Sequence, residues 1–221
     1  MARYLFSSIH GGVSQSPFSS LNLGDHVGDD ASVVQANRTA LADFLSVSEL
    51  VFMNQSHGTD IVEIGEVIPS NINADAIMTR RTSLGLAVLT ADCIPLLIAG
   101  QNYVAAVHVG RKGLLGGIIS KVIAELKQRG DSQFSSWIGP AICGKCYEVS
   151  PEMYREVIAL YPRAATSEES HSLDLPRAAA AELEQLGVFV ERTDICARES
   201  AHHFSYRKAQ VTGRMAGIIS L

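Results

Sequence analysis

Short apolar runs, crowded into the middle of the chain, dominate its hydrophobic pattern. Runs of this length, rich in valine, isoleucine and leucine, are typical of buried strands. The pattern predicts strands at 51–53, 61–64, 76–78, 84–90, 94–98, 103–109, 188–190 and 215–219. Because the central runs follow one another closely, we expect these strands to pair antiparallel.

Helical spacing of apolar residues, together with helix start and stop signals, separates the strand runs. It predicts helices over 31–46, 116–129, 151–161 and 174–186. The Asp29–Asp30 pair can cap the first helix, and Ser150 with Pro151 can open the third. Strand runs with helices interspersed irregularly favour the α+β class over a doubly wound parallel sheet.

The composition places the chain among globular proteins that bind small ligands. Its 221 residues and 47% apolar content fit a single domain spanning 1–221 with a buried core. A net charge of -5, with 19% charged residues and no charged blocks, argues against a nucleic-acid or anionic-membrane partner. We expect a monomer with a small-molecule substrate.

The sequence shows neither a signal peptide nor a transmembrane segment, and we therefore expect a cytoplasmic protein. The amino-terminal residues lack the long apolar segment of a signal peptide, and no apolar run is long enough to cross a membrane. The four cysteines are then better explained as thiols or metal ligands than as a disulfide framework. Cys143-Gly-Lys-Cys146 resembles a dithiol redox centre, but a loop is the favoured interpretation because its helix begins several residues later.

Two apolar runs carry side chains that can bind a metal ion. If their turn is centred on Gly100–Gln101, Cys93 lies directly opposite His108. Opposed side chains have Cβ atoms about 4.5–5.5 Å apart, a gap that one zinc ion can bridge. The competing interpretation is a small buried cysteine and a hydrogen-bonded core histidine.

A catalytic zinc takes three protein ligands, so a third one is needed. His57 is favoured because it lies in a polar turn before a strand. The other candidates are His10, His26, His202, His203, Cys143, Cys146 and Cys196. Asp92 also needs a partner, since a lone carboxylate in an apolar run is costly to bury.

The segment after His108 has the character of an anion site. Arg111 and Lys112 lie between glycines, ahead of a helix that we expect to begin at about Gly116. Free backbone N–H groups and two cations would converge there. The motif is weak by itself because it lacks the full P-loop pattern.

Six ordered motifs resemble the YfiH-like family, once described as laccases and now read as zinc-dependent purine nucleoside phosphorylases with adenosine deaminase activity. They are GGVSQSPFSSLNLGDHVGDD followed by NR, NQSHGTDI, TADCIPLLI, AAVHVGRKGL, IGPAICGKCYEV and FSYRKAQVTGRMAGII. The resemblance implies a single α+β sandwich with flanking helices. It also implies a zinc ion held by His57, Cys93 and His108.

The resemblance gives further residues a role. The expected substrates are adenosine, inosine and 5′-methylthioadenosine, with phosphate as co-substrate. Asp92 or Glu148 would carry protons beside Cys93, and Asn22 would lie in the cleft. The cations that would hold phosphate or substrate are Arg111, Lys112, Arg207 and Arg214.

The chain departs from its relatives at several positions. Ile9 replaces a common arginine, and Arg111 and Lys112 stand where the family commonly has tryptophan and arginine. Two other functions remain as alternatives. One is a hydrolase with a Cys93–His108 pair, acting on an amide of a peptidoglycan precursor. The other, least favoured, is a copper polyphenol oxidase, because one His-Cys-His set cannot build a multi-copper cluster.

Overall fold

A computed structural model describes residues 2–221 of the chain as two packed sheets covered by helices. The strands are β1 (Arg3–Phe6), β2 (Glu49–Val51), β3 (Ile61–Glu63), β4 (Ala76–Thr79), β5 (Leu84–Thr90), β6 (Ile94–Ala99), β7 (Val104–Val109), β8 (Ser135–Ile138), β9 (Ala165–Ser167), β10 (Ser172–Leu173), β11 (Phe189–Arg192) and β12 (Met215–Ser220). The helices are α1 (Ala31–Leu45), α2 (Arg111–Leu115), α3 (Ile118–Gln128), α4 (Pro151–Leu160) and α5 (Leu175–Gln185).

The strands form a four-stranded sheet in the order β1-β12-β5-β2 and a six-stranded sheet in the order β11-β8-β6-β7-β4-β3. Strands β9 and β10 make a separate hairpin. Three neighbouring pairs are parallel, β2 with β5, β3 with β4 and β8 with β11, and the others are antiparallel. The predicted α+β sandwich of mainly antiparallel sheets is confirmed.

Three apolar clusters hold these layers together. Leu86 and Val88 of β5 point into the space between the sheets, whereas Ala87 and Leu89 of the same strand pack toward α1. The far side of the six-stranded sheet is covered by apolar residues of α3, α4 and α5. Strands buried on both faces read as continuous apolar runs rather than alternating ones, which is why the central strands were predictable.

Predicted and observed elements agree best where the chain is most apolar. The predicted run 84–90 coincides with β5, and each of the four predicted helices is present with shifted ends. Asp30 and Ser150 cap α1 and α4 through their side chains as predicted. Strands β1 and β8 escaped prediction because both are short and partly exposed.

The predicted pairing of Cys93 with His108 is wrong. Pro95 lies opposite His108, and Ala99 lies opposite Val104, so the loop is 100–103 rather than a turn at Gly100–Gln101. The Asp131 carboxylate stabilises this longer loop by accepting hydrogen bonds from the backbone of Asn102 and Tyr103. The register moved by an even number of residues, so the side chains kept the faces that the prediction gave them.

The predicted helix start at Gly116 is also wrong. Helix α2 begins at Arg111, with Gly110 as its N-cap, and α3 begins separately after Gly117. Gly117 has a positive φ of 76°, a conformation that favours glycine and separates the two helices. Within residues 2–221, the helices are all too short or too polar to span a membrane.

Candidate metal centre and its cleft

A cleft of about 1300 Å³ opens beside the link between β5 and β6. Its walls come from α1, the loop after β2, this link and the segment that precedes β12. The residues that line the cleft include Arg38, Phe52, His57, Asp92, Cys93, His108, Tyr147, Arg207 and Arg214. Pockets that bury small ligands usually measure about 300–1,000 Å³, so the cleft has room for a nucleoside and an anion together.

His57, Cys93 and His108 meet at the cleft. Their ligand atoms lie within 4.8 Å of one another, although the residues come from the loop after β2, the residue before β6 and strand β7. Ligand atoms bound to one zinc ion stand about 3.3–3.8 Å apart, so small side-chain movements would complete the site. Two imidazoles and one thiolate are a donor set that fits zinc, and a catalytic zinc held by three protein ligands would keep one position for water or substrate.

The Asp75 carboxylate positions two of these three residues, His57 and His108. It is fully buried and lies 2.8 Å from Nδ1 of His108. It also accepts hydrogen bonds from the backbone N–H groups of His57 at 2.9 Å and Gly58 at 2.7 Å, and from Ser56. One carboxylate therefore orients the His108 ring and holds the loop that carries His57, an arrangement typical of metal-binding histidines.

The same contacts set the charge state of the pair. Burial acts to raise the pKa of Asp75, but hydrogen bonds from His108, Gly58 and Ser56 outweigh it and lower the pKa to about 2. Burial acts to lower the pKa of His108, but the hydrogen bond with the Asp75 carboxylate and the nearby Cys93 sulfur raise it to about 9. Because Nδ1 faces Asp75, Nε2 is the His108 atom available to the cleft and to Cys93.

Backbone conformation and a glycine shape the space around His57. His57 has a φ of 62°, in the left-handed region that few non-glycine residues occupy, and its contacts with Asp75 hold it there. A Cβ atom added to Gly110 would lie 2.6 Å from Nδ1 of His57 and 3.5 Å from Sγ of Cys93. Glycine at position 110 thus leaves the room in which the ligand atoms converge.

Asp92 lies next to Cys93 where the chain crosses from one sheet to the other, with a φ of 109°. Its carboxylate accepts hydrogen bonds from Oγ of Ser205 and from the backbone N–H of Arg207, both at 2.6 Å. Burial raises the pKa of Asp92, and these two hydrogen bonds offset part of that effect. The carboxylate that looked unpaired in the sequence is anchored to the segment before β12.

The predicted cations do not all reach the cleft. Arg207 and Arg214 line it, and the Arg207 guanidinium lies 5.2 Å from the ring centre of Tyr147 while donating to the Glu148 carbonyl. Arg111 instead forms an ion pair with Glu156 on α4, at 2.6 Å. Lys112 is exposed on α2 and is not part of the cleft wall.

Asn22 and Glu148 occupy other places than expected. Asn22 is fully buried, and its side chain bonds to Gly24, Asp29 and the backbone N–H of Arg214. It therefore positions Arg214 from behind the cleft wall. Glu148 meets the cleft residues through its carbonyl, which accepts the hydrogen bond from Arg207.

Sequence reasoning missed Asp75 and Arg38. Asp75 immediately precedes an apolar strand, and the cost of burying a lone carboxylate, which singled out Asp92, applies equally to it. Arg38 lines the cleft, donates to the Leu23 carbonyl and lies 3.9 Å above the Phe52 ring. Its only sequence signal was its place in a family motif.

Comparison with known proteins identifies the family of this chain. Residues 3–221 match the family model described as multi-copper polyphenol oxidoreductase laccase. The Bacillus licheniformis hypothetical protein YfiH superposes with a TM-score of 0.92 at 28% identity, over 100% of this chain and 92% of that one. The chain belongs to the YfiH-like family. Another solved structure similar to this YfiH-like chain is Neisseria meningitidis protein NMB0706, with a TM-score of 0.90, 32% identity and 94% of that chain covered.

Curated relatives of this YfiH-like protein carry an enzyme name. A Streptomyces coelicolor protein named purine nucleoside phosphorylase SCO2081 is 41% identical over 100% of this chain and 96% of its own length. A Haemophilus influenzae protein named purine nucleoside phosphorylase is 33% identical over 95% of this chain and 90% of its own length. The similarity therefore extends along whole chains.

Proposed function

We propose that the protein is a zinc-dependent purine nucleoside phosphorylase that accepts adenosine, inosine and 5′-methylthioadenosine and also deaminates adenosine. The observation that carries the proposal is the convergence of His57, Cys93 and His108 on a cleft large enough for a nucleoside and phosphate. The names of relatives that match over their full length support the phosphorylase activity. We further expect a cytoplasmic monomer.

Two basic side chains are best placed to hold phosphate for attack on the ribose. Arg207 and Arg214 reach the cleft wall from the segment before β12, whereas Glu156 already pairs with Arg111. Their fixed positive charges would stabilise the phosphate and the departing base in the transition state. Asn22 contributes by holding the backbone of Arg214.

Deamination needs a proton carrier beside the metal ligands. A zinc ion held there would act as a Lewis acid and lower the pKa of a bound water toward about 7. Asp92 is favoured over Glu148 for moving protons, because Asp92 lines the cleft next to Cys93. The ring of Tyr147, which also lines the cleft, offers a face for the purine base.

The alternatives rest on narrower observations. The ligand atoms of Cys93 and His108 lie within 4.8 Å of each other, and a cysteine hydrolase would use such a thiol–imidazole pair. The matching family model is described as a multi-copper laccase, and this description favours a copper enzyme. Two imidazoles and one thiolate also suit copper, but of the two ligand clusters found within residues 2–221 only this one contains histidine. A single such set argues against multi-copper chemistry.

Cys93→Ala separates the zinc enzyme from the cysteine hydrolase. We expect the variant to lose the zinc ion at the His57 site, so that its zinc content falls by about one equivalent relative to the wild type. We also expect it to release bases from nucleosides at least about 100-fold more slowly, since even a residue that only orients a ligand is worth about 10–100-fold. Elemental analysis and chromatography of products from inosine, adenosine and 5′-methylthioadenosine would measure both effects. Wild-type protein stripped by a chelator, and then given zinc again, is the control. Full activity of the stripped wild-type protein would contradict the zinc proposal.

A further inference from the structure

A second group of metal-binding side chains lies outside the cleft. The Sγ atoms of Cys143, Cys146 and Cys196 and a carboxylate oxygen of Glu199 all lie within 4.8 Å of one another. The three cysteines are free thiols, and Cys146 is buried. We call these four residues the thiol cluster. None of them lines the cleft, so the thiol cluster is separate from the site of His57.

The spacing of the thiol cluster is that of two metal-binding turns. Cys143 and Cys146 are three residues apart, as are Cys196 and Glu199. In the first turn the backbone N–H of Cys146 donates to the Cys143 carbonyl at 3.0 Å. Structural zinc sites commonly take paired ligands at this spacing from two such turns.

The surroundings prepare the thiol cluster for a cation. The backbone N–H of Cys143 donates a hydrogen bond to Sγ of Cys196 at 3.4 Å. Such donors stabilise sulfur that carries negative charge. A bridge between Ala141 and Cys196, with backbone hydrogen bonds in both directions, fixes the two turns relative to each other.

The turn between the first two cysteines is also packed in place. A Cβ atom added to Gly144 would come within 2.8 Å of Cβ of Asp174, the residue that caps α5. The next helix, α4, begins only at Pro151, so the motif lacks the helix start that lowers the pKa of a redox-active cysteine. A disulfide would join two of the thiols and leave the third thiol and Glu199 unused.

We propose that Cys143, Cys146, Cys196 and Glu199 bind a structural zinc ion. Three thiolates and one carboxylate complete a closed tetrahedral site, and thiolate ligands select zinc over magnesium and calcium. The cysteines release their protons when the ion binds. This inference does not depend on the proposed enzymatic activity.

The bound ion would join two segments that form the cleft. The loop with Cys143 and Cys146 continues to Tyr147, and the segment with Cys196 continues to Arg207, which already contacts the Glu148 carbonyl at 2.9 Å. Because metal binding contributes to folding stability, zinc at the thiol cluster would stabilise this wall. The ion would then act on the cleft through structure alone.

The test uses the Cys93→Ser protein, in which the thiol cluster supplies all the remaining cysteines. After dialysis against a weak chelator, we expect it to retain about one equivalent of zinc by elemental analysis, because a four-ligand site is closed. Cobalt substitution should give the near-ultraviolet absorption of thiolate coordination. Adding Cys143→Ser should remove both signals, whereas Lys145→Ala, an exposed position between the two ligands, should leave them unchanged.

Alkylation supplies a measurement that requires no change in the thiol cluster. In the Cys93→Ser protein, zinc should protect all three cysteines from iodoacetamide, and a strong chelator should remove that protection. The proposal is overturned if reduced protein binds no zinc and its cysteines react at the same rate with and without the metal. It is equally overturned if mass analysis finds a disulfide within the thiol cluster of the freshly purified protein.

Discussion

Asp75→Ala is expected to lower zinc affinity by about 10–100-fold and the free energy of unfolding by about 3–5 kcal/mol. The affinity falls because His108 loses the partner that aims Nε2 at the cleft, and the loop carrying His57 loses its anchor. The stability falls because the buried His108 ring loses its charged partner, and donors on Ser56, His57 and Gly58 lose their acceptor. Zinc competition with a chromophoric chelator and urea unfolding measure the two effects.

Asp131→Ala is the matched control for this prediction. Asp131 is also buried, and its carboxylate holds the 100–103 loop through hydrogen bonds from Asn102 and Tyr103. We expect it to lower stability while leaving zinc affinity unchanged. Equal zinc affinity in the Asp75→Ala protein and the wild type would show that Asp75 does not orient the metal ligands.

Gly110→Ala should separate metal binding from folding. Its backbone φ of -88° suits alanine, so the fold has no conformational reason to change. The new methyl group would lie 2.6 Å from Nδ1 of His57 and force that ring to move. Because His57 is exposed, the ring can move at little cost in stability, but it then leaves the other ligands. We expect zinc affinity to fall by about 10–100-fold.

Gly65→Ala controls for the loss of a glycine, because a Cβ atom there would have no neighbour within 4 Å. Thermal unfolding and zinc titration of both variants make the comparison. The role given to Gly110 would be wrong if its variant lost several kcal/mol of stability, or if it bound zinc as tightly as the Gly65→Ala protein.

The central strands were predictable from sequence because a strand that is buried on both faces is a continuous apolar run. Strands β5 and β7 are apolar at nearly every position, whichever sheet each belongs to. The register in which these strands pair could not be predicted from such local patterns. The 100–103 loop is set by Asp131, almost thirty residues further along the chain, and no local pattern around Gly100 reports that contact.

The candidate site was predictable to the same extent as the strands: residues that stand out locally were found, and contacts between distant residues were not. Cys93 and His108 stood out because polar side chains in apolar runs are rare, and their predicted faces survived the error in register. Asp75 carried the same kind of signal, but its partner His108 lies 33 residues away and only the fold brings them together. The thiol cluster likewise joins turns 53 residues apart, so the Cys143–Cys146 motif alone did not predict a four-ligand site.

The most direct test of the proposed function is the phosphate dependence of base release from inosine by the zinc-loaded protein. We expect hypoxanthine and ribose 1-phosphate in equal amounts, and neither product when phosphate is omitted or zinc is removed. Base release at an equal rate without phosphate would show a hydrolase. If inosine, adenosine and 5′-methylthioadenosine all remain unchanged by zinc-loaded protein with phosphate present, the protein is not a purine nucleoside phosphorylase.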